Sequence, residues 1–258
     1  MKEYTLITGA STGIGYEIAI QLAAKNHNLI LIARSQDKLE SLQREINNKY
    51  EVEVHYFIYD LSEPNSAQDL FKNIKDHKFT VTGLINNAGF GEYGNFIEMS
   101  LKKDEEMISL NVTTLVGLTK LFAAEMVKAG KGRIMNIASL LSFIPLPYYS
   151  VYSATKSFVL AFTETVSAEL QGTGVTLTAL CPGTVDTPFH SDNMRKTIAM
   201  KANKPMPANL VAKEGVDLFL YGKNKKIVGT MNWFLSNIPR FTPDKVMIKI
   251  KKNLASIK

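Results

Sequence analysis

A single doubly wound α/β domain is predicted for this chain, with a mostly parallel seven-stranded sheet and helices on both faces. Three observations predict it. Short β-branched runs alternate with longer helical patterns, the signature of a parallel sheet wrapped by helices. The first run leads directly into a glycine-rich turn. No Gly/Ser linker, repeat or low-complexity segment divides the 258 residues, a length that α/β folds routinely fill as one unit.

In chain order, YTLIT (4–8) reads as the first strand and TGASTGIG (8–15) as its exit turn into a helix over 13–26. NLILIA (28–33) and VEVHYFI (52–58) flank a helical pattern over 37–49, and a helix over about 64–77 leads to VTGLIN (81–86). Long helical patterns over 102–129 and 151–171 alternate with GRIMNIA (132–138) and VTLTAL (175–180). A helix over 207–221 precedes KIVG (226–229), the seventh strand. The segment from Thr187 to about Pro207 breaks the alternation. It falls at the sheet edge where open α/β folds bind ligands, so it suits a substrate lid, a plain surface excursion being the alternative. A basic helical extension is predicted over about 230–258. From Lys245 it holds five lysines and no acid, with Val246, Ile250, Leu254 and Ile257 at helical spacing. This reads as an amphipathic helix docked on the body with its lysines in water; a membrane-surface or acidic-partner role is the alternative.

Composition narrows the function classes. Hydrophobic residues at 45% and charged ones at 21% describe a soluble globular chain, and no apolar run approaches the length of a bilayer span. The start, MKEYTLITGA, carries Glu3 and lacks the regions of a signal peptide, so a cytoplasmic location is expected. Cys181 is the only cysteine, which excludes an intrachain disulfide, and His27, His55, His77 and His190 lack metal-ligand spacing. No metal is expected. The net charge of +6 fits an anionic ligand without specifying one, and no reading motif for nucleic acid accompanies it.

The turn after the first strand carries the cofactor prediction. Gly9 permits a sharp exit from the strand, Gly13 lets backbone approach a pyrophosphate, and Gly15 lets the helix pack closely on the sheet. The helix start offers N–H groups and partial positive charge to phosphates. The spacing Gly-x-x-x-Gly-x-Gly resembles the short-chain dehydrogenase/reductase family, of the compact Rossmann type with TGxxxGxG and YxxxK motifs, from Tyr4 to about Gly229. The resemblance implies a dinucleotide held by Gly9, Ser11, Thr12, Gly13, Ile14 and Gly15. It implies that Asp60 and Leu61 touch adenine, and that NNAG, Asn86 to Gly89, with Asn87 and Ala88, stabilises the central sheet beside the cofactor. Pro182, Gly183, Val185 and Thr187 match the segment at the nicotinamide end. Asn111, Ser139, Tyr152 and Lys156 match the catalytic tetrad. A homodimer or homotetramer is implied, with the long helices at 102–129 and 151–171 as the common interface.

Choice between dinucleotides is expected at the end of the second strand, where an acid would bond the ribose 2′-hydroxyl. Ala33, Arg34 and Ser35 stand there, and the first acid, Asp37, comes later. A guanidinium can grip a phosphate through two hydrogen bonds, so NADP(H) is predicted over NAD(H); the alternative is that Arg34 only stacks on adenine.

YYSVYSATK (148–156) holds Tyr152 and Lys156, four residues apart and on one helix face. Tyr221 and Lys225 repeat the spacing by chance, in a context suited to a turn. Hydride transfer to a carbonyl makes an alkoxide that must be protonated, and a phenol of ordinary pKa near 10 is a poor acid–base group at neutral pH. Bringing it there takes about 4 kcal/mol of phenolate stabilisation. One ammonium about 4 Å away supplies roughly that at an effective dielectric of 20, and Lys156 is the candidate. By resemblance, Lys156 also holds the nicotinamide ribose, Ser139 bonds the substrate oxygen and Asn111 steadies a water relay. Read alone, Asn111 is a polar helix residue, and Ser142 is a poorer substitute for Ser139.

The leading reading is an NADP(H)-dependent oxidoreductase interconverting a moderately hydrophobic carbonyl and its alcohol. Phe90, Phe96, Leu140 to Ile144, Tyr148, Tyr149, Phe189 and Met194 are candidate pocket residues, though most could be core. Alternatives are a dinucleotide-sensing binding protein, a membrane-peripheral protein using the Lys-rich tail, and sugar-nucleotide epimerase chemistry, which the glycine spacing disfavours.

Overall fold

The computed structural model describes residues 2–222 and 224–257; Lys258, one of the tail lysines, lies outside the described residues. The chain runs β1 (Glu3–Thr8), α1 (Gly13–Ala23), β2 (Asn28–Ala33), α2 (Gln36–Lys49), β3 (Val54–Ile58), α3 (Ser66–Asp76), β4 (Thr80–Asn86), α4 (Leu101–Ile108), α5 (Leu115–Lys128), β5 (Gly132–Ile137), α6 (Ser150–Glu169) and β6 (Val175–Cys181). Beyond it come β7 (Val185–Asp186), α7 (Asp192–Arg195), α8 (Ile198–Ala202), β8 (Met206–Pro207), α9 (Ala208–Tyr221), β9 (Lys225–Ile227), α10 (Thr230–Phe241) and α11 (Asp244–Ala255). Seven strands form one parallel sheet in the order β3-β2-β1-β4-β5-β6-β9, as the doubly wound reading requires.

The strands read as near-continuous apolar runs because both faces of a parallel sheet are covered. Side chains alternate between the faces. Leu29 and Leu31 pack with Ile18 and Leu22 of α1, Leu39 and Leu42 of α2, and Val211 and Phe219 of α9. Ile30 and Ile32 pack with Leu70 of α3 and Leu118 and Phe122 of α5. Val159 and Leu160 of α6 form a further cluster with Ala179 and Cys181.

Two elements differ from expectation. The helix predicted over 102–129 is interrupted at Ser109–Thr114 by a π-helical turn, a feature frequent at functional sites. The stretch Leu101–Lys128 is also long and apolar enough to cross a membrane by length and composition, contrary to the sequence expectation. Its Leu115, Leu118, Phe122 and Met126 are buried in the fold, as in a core helix. In the tail, the stripe expected to dock is largely outward: Val246, Ile250 and Ile257 are exposed, and Met247 and Ala255 are the residues buried instead. Helical spacing fixes which residues share a face, not which face meets the body.

Candidate active site

A cleft of about 490 Å³ opens at the carboxyl ends of the strands, where the crossover between β1 and β4 parts the connections. Its floor is the turn Gly9 to Ile14. Gly9 and Gly13 have φ of +65° and +60°, which an L side chain adopts only with strain. A Cβ on Gly9 would lie 2.9 Å from the Ala88 Cα, and one on Gly13 would lie 3.0 Å from the Thr187 methyl. Gly15 does not face the cleft. A Cβ there would meet Asn87 Nδ2 at 2.4 Å and the Gly9 carbonyl oxygen at 2.5 Å, so its role is to let turn and helix close on the end of β4. Thr12, at the N-cap of α1, makes no side-chain capping bond, which leaves the helix start available to a ligand.

The turn is tied to the end of β4. Asn87 Nδ2 donates to the Thr8 and Gly9 carbonyl oxygens, both at 3.0 Å. The Asn87 and Ala88 N–H groups both donate to Thr8 Oγ1 at 3.0 Å. Deeper in, Asn86 Nδ2 donates to Asn136 Oδ1 at 2.9 Å and to Thr119 Oγ1 at 3.0 Å, locking β4 to β5 and α5.

At the open end, Ala33, Arg34, Ser35, Asp60 and Leu61 line the cleft. The Arg34 guanidinium lies 3.6 Å from the Asp60 carboxylate. Asp60 accepts from the Ser62 N–H at 3.0 Å and from its hydroxyl. Burial alone would raise the Asp60 pKa, but these bonds and Arg34 outweigh it and hold the carboxyl below its ordinary value. Lys38, Tyr59 and His190 also line the cleft, and sequence reasoning assigned none of them. Lys38 carried a usable signal: it stands one helical turn after Arg34, in the first turn of α2.

At the other end stand Ser139, Tyr152 and Lys156. Ser139 follows β5 and caps the short turn Leu140–Ser142, accepting from the Leu141 N–H at 3.1 Å; its hydroxyl is also close enough to the Tyr152 phenol to favour the phenolate. Ser142 is occupied elsewhere, accepting from the Ser139 N–H and donating to the Lys156 carbonyl oxygen at 2.7 Å. Lys156 Nζ is 5.9 Å from the centre of the Tyr152 ring and donates to the Ile137 carbonyl oxygen at 2.7 Å. Here the structure corrects the electrostatic expectation. Burial pushes the phenol up to about 12, only partly offset by the nearby Ser139 hydroxyl, and burial brings the Lys156 ammonium down to about 8. The amine is directed at a backbone oxygen, so desolvation dominates both groups.

Asn111, fully buried in the π turn, does not line the cleft. Its Nδ2 donates to the Phe90 carbonyl oxygen at 2.9 Å and to Thr155 Oγ1 at 3.1 Å, and its Oδ1 accepts from the Phe90 N–H at 3.2 Å. It joins the loop after β4 to α6 and is thus a positioning residue. The decoy separates as expected: Tyr221 ends α9, exposed, while Lys225 opens β9 and pairs with Glu164.

Pro182, Gly183, Val185 and Thr187 form the near wall, followed by Phe189. Phe189 packs on Tyr152 with ring centres 5.6 Å apart. Phe90 also lines the cleft. Phe96 and Tyr148 line a small crevice on the other side of Tyr152. Tyr149 and Met194 are buried together with Leu146 and Ala255, and Leu140 and Ile144 are buried against Met247; these four are core.

The family model described as short chain dehydrogenase matches residues 3–197. A very-long-chain 3-oxoacyl-CoA reductase from Scheffersomyces stipitis is 39% identical over 184 residues, covering 67% of this chain and 53% of the relative. The chain thus spans about half the length of that relative. The very-long-chain 3-oxoacyl-CoA reductase of Macaca fascicularis is 30% identical over 263 residues, 98% of this chain and 80% of that protein. Among solved structures, a short-chain dehydrogenase from Sphingobium yanoikuyae in complex with NADPH superposes with a TM-score of 0.81 at 28% identity, covering 93% of each chain. An alcohol dehydrogenase from the archaeon Thermococcus sibiricus, complexed with 5-hydroxy-NADP, gives 0.76 at 28% identity, covering 88% of this chain and 96% of that one.

Proposed function

This chain belongs to the short-chain dehydrogenase/reductase family of oxidoreductases, and from that premise we propose that it interconverts a moderately hydrophobic ketone or aldehyde and its alcohol with NADP(H). The observation that carries this reading is the make-up of the two ends of one cleft. Ser139, Tyr152 and Lys156 converge at one, and Arg34, Ser35 and Lys38 stand at the other.

The residues present fit a dinucleotide phosphate. Gly9 and Gly13, at positive φ, put no side chain on their part of the floor, the start of α1 has no side-chain cap, and β2 ends without an acid. Gly9 to Ile14 would hold the pyrophosphate, Asp60 and Leu61 the adenine side, Arg34 with Lys38 a 2′-phosphate, and Lys156 the nicotinamide ribose. When bound, the nicotinamide supplies or accepts the hydride.

Ser139 offers its hydroxyl to the substrate oxygen and keeps that oxygen beside the phenol. Tyr152 donates its proton to the oxygen as negative charge develops there. A phenol pushed up to about 12 holds its proton at neutral pH, and an alkoxide is basic enough to take it, which suits the reductive direction. Lys156 stabilises the phenolate left behind, and Asn111 keeps the Phe90 loop and α6 in register. Phe90 and Phe189 give the substrate end an apolar wall. The names of the relatives make 3-oxoacyl thioesters the first substrate class to examine. The expected assembly is a dimer or tetramer through α5 and α6, where exposed Phe158 stacks on Phe162.

The test is a panel of ketones, aldehydes and 3-oxoacyl thioesters of increasing chain length, followed at the nicotinamide absorbance with NADPH and with NADH. Turnover that rises with apolar chain length and favours NADPH supports the reading. NADPH binding without turnover on any member would replace it with the dinucleotide-sensing alternative.

A further inference from the structure

α10 is built with its polarity reversed. Its buried positions are polar: Asn232 and Ser236 are 3% and 4% exposed. Asn232 Nδ2 donates to the Val228 carbonyl oxygen at 2.6 Å, and its Oδ1 accepts from Asn203 Nδ2 at 2.7 Å. The outward positions are apolar. Met231, Phe234, Ile238 and Phe241 recur at intervals of three and four residues, so they share one face. Phe234 is 65% exposed and Phe241 is 85% exposed, with Trp233 exposed at the flank. A surface helix normally turns such a stripe inward, and contiguous apolar patches of this kind mark interaction sites.

The surroundings of the stripe specify the partner. Arg240 is exposed near the end of α10, in the row of Asn232 and Ser236 and off the stripe, and α11, two residues further on, exposes Lys245, Lys249 and Lys252 at intervals of four and three, beside exposed Val246, Ile248 and Ile250. Asp244 is the only acid from residue 230 onward. Aromatic residues with a neighbouring row of cations are the composition of a helix lying in a membrane interface. A second copy of this chain is a poorer occupant. A two-fold interface is self-complementary, so this positively charged patch would meet itself.

We propose that α10 and α11 form a docking surface for an anionic lipid bilayer, with the Met231, Phe234, Ile238 and Phe241 face entering the interface and the α11 lysines meeting the headgroups. The surface adjoins the cleft: Asn203, which Asn232 holds, follows α8 within the segment from Thr187 to Pro207, and a Cβ on Gly183 of the cleft wall would lie 2.4 Å from Asn232 Nδ2. Docking would set the substrate entrance beside the bilayer. The proposal does not depend on the reaction proposed above, because its readouts involve no turnover.

Trp233 is the only tryptophan, so its fluorescence reports this surface alone. The full chain is mixed with phosphatidylcholine vesicles made with and without phosphatidylserine, then followed by Trp233 emission and by flotation. A blue shift and co-flotation with the phosphatidylserine vesicles, weakened by salt, are expected. Each lysine near the surface contributes about fivefold, so Lys245→Gln/Lys249→Gln/Lys252→Gln should bind about a hundredfold more weakly. Phe234→Ser/Phe241→Ser, at exposed positions and checked for an unchanged melting temperature, should lose flotation. No shift on anionic vesicles overturns the proposal. So does equal binding by the double phenylalanine variant, or a lipid-free dimer that this variant dissociates while vesicles are left unbound.

Discussion

Removing the Arg34 guanidinium should penalise NADPH more than NADH. The magnitude follows from what the side chain does in the structure. It is 76% exposed and lies 3.6 Å from Asp60, itself 39% exposed. An exposed pair of that kind contributes about 0–1 kcal/mol, so little is lost when the guanidinium turns to a phosphate. A hydrogen bond to a charged group contributes about 1.5–3 kcal/mol, and solvent at this exposed rim lowers it to about 1–2 kcal/mol. Arg34→Ala should therefore reduce kcat/KM for NADPH about 5- to 30-fold while leaving the NADH value near that of the parent. Lys38 lines the same rim, so Arg34→Ala/Lys38→Ala should fall further, and added salt should narrow the parent's preference. The assay is initial rate against each cofactor with one saturating ketone. An unchanged NADPH-to-NADH ratio in Arg34→Ala would refute the assignment and favour stacking on adenine.

Tyr152→Phe should lower turnover about 10²- to 10⁴-fold while the NADPH dissociation constant, read by fluorescence, shifts little; retained turnover would remove Tyr152 from the chemistry. Lys156 is charged in the unfolded chain up to an ordinary pKa of 10.5 but in the fold only up to about 8. Its buried charge therefore opposes folding below pH 8, and the penalty is relieved as pH rises from 8 to 10.5. Lys156→Met should thus be inactive yet more stable at pH 7, by up to about 3 kcal/mol, with the gain shrinking across that window in urea denaturation; a gain independent of pH would contradict the burial argument. Asn111→Ala leaves both Phe90 backbone groups without their buried partner and should lose about 2–4 kcal/mol, visible as a lower urea midpoint. Gly15→Ala places a methyl about 2.5 Å from the Gly9 carbonyl oxygen and should destabilise by about 1–3 kcal/mol, read from thermal unfolding.

Parallel strands buried on both faces, such as Leu29 to Ile32, announce themselves as apolar runs, which is why the seven-stranded sheet could be read in sequence. The glycine turn was legible for the same local reason, since backbone conformation at Gly9 and Gly13 restricts residue type. What escaped was tertiary. The π turn around Asn111 depends on bonds to Phe90 and Thr155, far away in the chain. The direction of the Tyr152 shift depended on where Lys156 sends its amine, and four-residue spacing does not say that Ile137 receives it. The tail misled because Val246 and Ile250 share a stripe in any helix. Only the anchoring of Asn232 and Met247 decides which side faces inward.

Thr8 and Asn87 bind two chain segments nearly 80 residues apart into one interlocked piece. The glycine turn is therefore not a transplantable module. A chimera that imports a foreign turn without the Thr8 hydroxyl would free the Ala88 N–H, leave the Asn87 N–H only its bond to the Ile85 carbonyl oxygen, and loosen the loop that Asn111 holds next to α6. Recombination or design at this site has to exchange Thr8 to Gly15 together with Asn86 to Gly89, so that the unit of inheritance is a pair of distant segments and not a contiguous motif.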